Sequence, residues 1–221
     1  MEKITTEDNS ITYFNEKYEE TYHSKTGAKE ESLKKFVEPC KDVIEANDTI
    51  KVLDICFGIG YNTAALLDYM KENYPNKKIF ITALENDMEI VSKIDDNNES
   101  GFNQYNLIKE LIKNKKEYKP LFKLDKENVK IKLIIEDARE AIKKIKNKFN
   151  IIFLDPFSPK KCPELWTKEF FQDIEKIMEK DAILTTYSCA RVVKDNLLAV
   201  NLKIEDGPCV GRKSPSTIAR K

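Results

Sequence analysis

The sequence is short of most features that would assign it at a glance. Neither sign of charge is in excess: Lys+Arg and Asp+Glu both number 38 and the pI is 6.7, so nothing global points to nucleic-acid or membrane binding. A face that meets a polyanion has to be local. Arginine is scarce; Arg139, Arg191, Arg212 and Arg220 are the only four, and lysine supplies the remaining basic residues. With asparagine abundant, this lysine bias reads as skewed genomic base composition rather than heat adaptation. No apolar stretch approaches the roughly 20 residues that span a bilayer. The polar opening from Met1 to Ser10 lacks the form of a secretory signal, so a soluble cytoplasmic protein is expected. The five cysteines (Cys40, Cys56, Cys162, Cys189, Cys209) include no Cys-x-x-Cys pair, which excludes a disulfide framework and a thiolate metal site and predicts free buried thiols. His23 is the single histidine, so no histidine metal cluster can form. Internal repeats and low-complexity tracts are absent.

What is present is a chain of 221 residues, 41% hydrophobic, enough to bury a full core. Its pattern predicts one main domain over residues 46–221, with a small N-terminal extension (1–45) that packs on the cleft. Compact apolar runs at 50–55, 79–84, 129–135, 151–154 and 182–186 read as strands. Helical runs follow the first four: 61–72, from Asp87 to about Ile94, a stretch through Ala141, Ile142 and Ile145, and a helix starting near Pro163 that carries Trp166, Phe170, Ile174 and Ile177 or Met178. Such alternation predicts an α/β fold, with a mostly parallel central sheet covered by helices on both faces. Residues 96–125 read as a polar insertion, with a loop over 97–101 and a helical stripe of Leu107, Leu111 and Ile112. Residues 4–6 and 11–14 predict a hairpin across Asp8 and Asn9. Leu33, Phe36, Val37 and Ile44 have helical spacing, with Pro39 marking a kink or boundary. Two tail strands, 201–205 and 216–219, flank a loop holding Gly207, Pro208 and Gly211.

Four acids, Asp54, Glu85, Asp137 and Asp155, stand at the ends of the first four strands. Ligands of open parallel sheets sit just outside the carboxyl ends of the strands, so this series describes a nucleotide-like pocket. Gly58 and Gly60 read either as a bare turn or as a place where a ligand approaches the backbone at a helix N-terminus. Thr63 occupies the position of the third glycine in the dinucleotide fingerprint, which favours a cofactor without a pyrophosphate. Glu85 can accept from ribose hydroxyls, Asp137 can accept from an adenine amino group or cap a helix, and Asp54 can brace the glycine turn. Asp155-Pro156-Phe157 can hold an amine while stacking a flat group, or form an Asx-type turn with Phe157 in the core. Lys160 and Lys161 follow at once, within reach of a phosphate.

Tyr22-His23-Ser24 with Gly27-Ala28, Phe57-Gly58-Ile59-Gly60-Tyr61-Asn62, Asp155-Pro156-Phe157-Ser158-Pro159, Pro163-Glu164-Leu165-Trp166, Thr186-Tyr187-Ser188 and Gly211-Arg212-Lys213 together resemble the MnmC-like methyltransferases, in the same order over nearly the whole chain. The resemblance implies a class I Rossmann-like methyltransferase fold and S-adenosylmethionine as donor. It also implies tRNA as partner, with the aminomethyl group of a modified wobble uridine as acceptor. Carried over position by position, cofactor contacts fall on Asp54, Gly58, Gly60, Asn62, Glu85, Asp137 and Ala138. The catalytic pair falls on Asp155 and Phe157, and Lys160, Lys161, Arg212 and Lys213 are candidates for tRNA phosphates. Ile59 stands where relatives commonly have threonine, and Pro156 replaces a small residue. The FAD-dependent oxidase half of the bifunctional enzyme has no counterpart here, which implies a separate enzyme to supply the aminomethyl group. Two rivals share the pattern: an aminopropyltransferase of the spermidine synthase kind, which the two lysines after Asp155 disfavour, and a non-catalytic subunit of an RNA-modifying complex.

Overall fold

A computed structural model describes residues 1–97, 100–113 and 121–221. The chain opens with three short antiparallel strands, β1 (Glu2–Thr5), β2 (Ile11–Asn15) and β3 (Glu20–Thr21). The expected hairpin forms between the first two, and Asn9 takes a φ of 62° at its turn, a conformation asparagine tolerates better than most residues. Helix α1 (Ala28–Glu31), a π-helical turn (Ser32–Val37), a 3₁₀ turn (Glu38–Cys40) and α2 (Lys41–Ala46) then run on without a loop. Pro39 sits in the 3₁₀ turn, so its missing N–H changes the helical pitch rather than ending the helix.

Strand β4 (Thr49–Ile55), α3 (Tyr61–Asn73), β5 (Lys78–Glu85), α4 (Met88–Ser92), α5 (Tyr105–Lys113), β6 (Leu121–Lys126), β7 (Val129–Ile135), α6 (Ala138–Lys144), β8 (Phe149–Leu154), α7 (Lys168–Ile177), β9 (Met178–Thr186), α8 (Arg191–Leu198), β10 (Lys203–Asp206) and β11 (Thr217–Arg220) complete it. The sheet order is β10-β11-β9-β8-β4-β5-β7-β6. Its five middle strands, β7, β5, β4, β8 and β9, are parallel, while β11 and β6 run antiparallel to their inner neighbours. From β4 the chain builds outward through β5 and β7, then returns to build the other way through β8 and β9. The order therefore reverses between β4 and β8, where an open α/β sheet leaves a crevice.

Alternate residues of the central strands feed opposite layers. Val52, Ile151 and Phe153 join the layer under α3, α5 and the N-terminal elements, with Phe36 and Leu66. Leu53, Ile152 and Leu154 join the layer under α6, α7 and α8, with Ile142, Phe171 and Val193. Every residue of β8 is buried, which explains the apolar run from Ile151 to Leu154; Asn150 is buried too and accepts the Lys51 N–H through Oδ1 at 2.8 Å.

Two expectations need correction, and the polar insertion holds a strand not foreseen: Phe122 and Leu124 alternate with exposed residues and form β6 on the edge of β7. Within the expected loop 97–101, Asn98 and Glu99 lie outside the described residues. Trp166 does not ride on α7, because Pro163–Leu165 is a separate 3₁₀ turn and the Thr167 side chain caps the helix by accepting the Phe170 N–H at 3.2 Å. The indole is buried all the same and packs in the core. The cysteines are free, but only Cys40 and Cys162 are buried; Cys209 is exposed on the loop between β10 and β11. Among the described residues, no helix is long and apolar enough to cross a membrane.

Gly60 shows why the turn after β4 needs glycine. It begins α3 at φ 81°, and a Cβ there would lie 2.6 Å from Phe57 Cζ and 2.9 Å from Ile108 Cγ2. Gly60→Ala is expected to lower stability by about 2–3 kcal/mol in urea denaturation. A loss below about 0.5 kcal/mol, the range of an ordinary surface change, would contradict this account of the turn.

Candidate active site

Three left-handed residues, Cys56 (φ 66°), Gly58 (φ 56°) and Gly60 (φ 81°), turn the chain sharply between β4 and α3. The Gly58 N–H donates to Glu85 Oε2 at 2.8 Å. The other oxygen of Glu85 accepts from the N–H groups of Asn86 (2.8 Å) and Asp87 (2.9 Å). Burial pushes this carboxyl up from its ordinary pKa, and the three backbone donors pull against that shift. A Cβ on Gly58 would meet only Tyr22 Cδ1, at 3.5 Å, so φ and an open face define this glycine.

Asp54 is wholly buried one layer behind. Its Oδ2 accepts the Thr63 hydroxyl at 2.7 Å, which braces the first turn of α3 against β4. Burial pushes its carboxyl up to about 7. Asp137 caps α6 by accepting the Arg139 N–H at 2.9 Å, and the Arg139 guanidinium grips the same carboxylate, Nη2 to Oδ2 at 2.6 Å. That guanidinium holds Asp137 below the usual range.

Asp155 follows β8, and its N–H donates to Ile55 O at 3.1 Å, carrying the β4–β8 pairing one step beyond the strand. Asn62, in the first turn of α3, donates to Asp155 Oδ2 at 2.8 Å. Burial, with Glu31 adding to it, pushes Asp155 well above its ordinary value. The loop after it is pinned from three sides. Tyr187 donates to Pro156 O at 3.0 Å, Trp166 Nε1 donates to Phe157 O at 2.9 Å, and the Ser158 N–H donates to Glu20 Oε2 at 2.9 Å. Phe157 is no core residue: it stacks on Tyr18 with centroids 4.5 Å apart and meets the edge of Tyr22 at 5.0 Å.

These groups enclose a cavity of about 520 Å³ at the sheet's reversal point, within the range of small-molecule sites. Gly58, Glu85, Asp137, Ala138, Asp155, Phe157 and Arg212 line it. Asp54, Gly60 and Asn62 do not; Asp54 braces the start of α3 through Thr63, and Asn62 holds Asp155 from behind. Lys160, Lys161 and Lys213 also lie outside it, Lys161 paired with Glu19. Phe14 and the run from Tyr18 to Lys25 supply one wall. Arg212 donates to Tyr187 O and stands 5.9 Å from the centre of that ring.

Reading the sequence passed over Tyr18, Glu20, Glu31 and Lys35, all of which line the cavity. Glu31 and Lys35 have the i,i+4 spacing of a surface helix pair, and only the apolar neighbours Leu33, Phe36 and Val37 hint that their face turns inward. The case against a cationic acceptor also needs correction. The two lysines after Asp155 are outside the cavity, where acidic side chains outnumber Lys25, Lys35, Arg139 and Arg212 by nine to four. Such a lining attracts cations.

A doubly wound sheet that gathers Glu85 and Asp155 in the crevice at its reversal point has the architecture of nucleotide- and nucleoside-binding enzymes. The description S-adenosyl-L-methionine-dependent methyltransferase belongs to the family whose sequence profile matches residues 99–221. The chain belongs to this family, on its MnmC-like branch. Its fold superimposes on the crystal structure of MNMC2 from Aquifex aeolicus with a TM-score of 0.82, at 31% identity, covering 99% of this chain and 69% of that one. An uncharacterized protein of Methanocaldococcus jannaschii is 34% identical over 99% of this chain and 59% of its own length. The tRNA 5-methylaminomethyl-2-thiouridine biosynthesis bifunctional protein MnmC of Leptospira interrogans is 26% identical over 93% of this chain, which spans 33% of that protein.

His23 is part of the wall rather than an exposed base. Its backbone N–H donates to Thr12 Oγ1 at 3.0 Å, its ring lies 4.9 Å from that of Tyr61, and burial pushes it down to about 4. The unfolded chain takes up a proton on this residue near 6.5 and the folded one does not. Its contribution to stability is therefore complete above pH 6.5 and is lost as pH falls from there towards 4. Urea midpoints of the native protein and of His23→Gln, measured across this window, are expected to converge as the pH drops; parallel curves would refute the assignment.

Proposed function

We propose that this chain transfers a methyl group from S-adenosylmethionine to the primary amine of an aminomethyl group on the wobble uridine of tRNA, giving 5-methylaminomethyl(-2-thio)uridine. The observation that carries the reading is that Glu85 and Asp155, from strands on either side of β4, face one cavity with Phe157 beside them. The relatives named for 5-methylaminomethyl-2-thiouridine biosynthesis support the acceptor. The chain spans a third of the length of such a protein.

The residues fit the donor. Glu85 spends three of its about four lone pairs on backbone N–H groups, which hold it in place, and keeps one on Oε2 for a ribose hydroxyl. Gly58 presents bare backbone to the cavity, and Asp137 with Ala138 closes the adenine end. Bound there, S-adenosylmethionine supplies a methyl group activated by a sulfonium. Displacement at such a carbon needs little beyond alignment in a dry pocket. Asn62 fixes one oxygen of Asp155, leaving the other to accept a hydrogen bond from the amine. An amine arrives protonated and has to shed a proton to offer its lone pair. The upward shift of Asp155 brings it nearer to an amine in basicity and suits it to take that proton. Tyr18 covers one face of Phe157, so a uracil ring packs on the other. Lys160, Lys161, Arg212 and Lys213 then meet phosphates of the anticodon stem.

Asp155→Ala is expected to lower turnover by about a hundredfold or more while leaving S-adenosylhomocysteine affinity within about threefold. Labelled donor, bulk tRNA and nucleoside analysis provide the readout, and unchanged turnover sinks the role. The KM for tRNA is expected to rise more than about tenfold between 50 and 200 mM salt, and a flat response would remove nucleic acid as the substrate.

A further inference from the structure

Glu31 and Lys35 form an ion pair in the cavity wall that the proposed chemistry leaves unused. Lys35 Nζ lies 2.7 Å from Glu31 Oε1, and the two side chains are only 3% and 13% exposed. Glu31 Oε2 accepts the Ser24 N–H at 2.9 Å, which fixes the carboxylate from the other side. The pair straddles the end of α1 and the π-helical turn that follows, a local widening of the helix common at functional sites.

As a stabilising device the pair is poor. Taking two charges out of water offsets most of their attraction, and an exposed i,i+4 pair would serve the helix without that penalty. Lys35 also has more donors than it uses. An ammonium carries three N–H groups, and among the described residues Glu31 is the acceptor the structure gives it. Glu31 and Lys35 share the cavity lining with Asp155 and Tyr187, and Ser24, which Glu31 accepts from, lies against Gly211 of the loop beside Arg212; both charges bear on Asp155.

We propose that Glu31 and Lys35 form the subsite for the amino-acid end of the donor, Lys35 donating to the α-carboxylate and Glu31 accepting from the α-ammonium. The inference rests on the donor reading above and deepens it. That end of the donor is a zwitterion, and a fixed ammonium–carboxylate pair is its electrostatic complement: four charges close into a ring in which each has an opposite neighbour. The ring needs the α-carboxylate. A decarboxylated donor, the kind an aminopropyltransferase uses, would leave Lys35 short of acceptors in a buried wall. Lys35 thus separates the two reactions by their donors, which the acid-rich lining does not do by their acceptors.

The test is calorimetric binding without tRNA, with S-adenosylmethionine, its decarboxylated form, S-adenosylhomocysteine and 5′-methylthioadenosine as probes. The native protein is expected to bind S-adenosylmethionine about ten to a hundred times more tightly than the decarboxylated form, the span of a charge-assisted hydrogen bond. Lys35→Met is expected to weaken S-adenosylhomocysteine by the same factor and to leave 5′-methylthioadenosine, which has no amino-acid end, within about twofold. Equal binding of S-adenosylmethionine and its decarboxylated form by the native protein overturns the subsite. So does an unchanged S-adenosylhomocysteine affinity in Lys35→Met. Should that variant fail to fold, Glu31→Gln with Lys35→Met removes both charges together, and the comparison on the native protein decides without any variant. Failure of the native protein to bind S-adenosylhomocysteine would instead bring down the donor reading itself.

Discussion

The Glu85 carboxylate ties together the two loops on which the cavity rests. It accepts from Gly58 after β4 and from Asn86 and Asp87 after β5. Backbone N–H groups at the ends of buried strands need acceptors, and here one side chain serves three of them. The gap between the loops is thereby set by a single rigid group. The Gly58 turn, the start of α3 and the position of Asn62 follow from it, and Asn62 in turn orients Asp155 on the next strand. Glu85 and Asp155 are thus linked through a short path of hydrogen bonds and one helical turn.

An acid-rich cavity would repel itself if its carboxylates were bare. Each of the main ones has a local partner: Glu20 the Ser158 N–H, Glu31 the Lys35 ammonium, Asp137 the Arg139 guanidinium, and Asp155 the Asn62 amide. The pairings differ in kind, and the residues differ accordingly. Asp137, facing a guanidinium, sits below the usual range, while Asp155, facing a neutral amide under burial, sits well above it. The ionised carboxylate is therefore favoured at one end of the cavity and disfavoured at the other.

Much of this was legible from residue order. The apolar runs became β4, β5, β7, β8 and β9; β8 is buried on both faces and leaves little room for polar residues, whereas β7 alternates, with Lys130 and Lys132 exposed. The acids at their tips were readable because a parallel sheet puts every such tip on one edge. Edge elements were harder: β6 owes its existence to pairing with β7, and Phe122 and Leu124 alone are too few to announce a strand. Trp166 was assigned to a helix by spacing, where the Thr167 cap decides the start. Lys35 was opaque for a different reason. A buried lysine has no signature apart from the tertiary wall that covers it, and i,i+4 pairs with glutamate are common on open surfaces.

The Ser158 N–H donates to Glu20 across 138 positions of chain, and Tyr18 stacks on Phe157 over a similar span. The cavity's two walls are thus made at opposite times during synthesis. A ribosome that has released the first strands must read through β8 before their partners exist, so the nascent chain cannot trap a nucleoside midway. Ligand capture therefore waits on chain-distant contacts, and closing a loop of this length is slow.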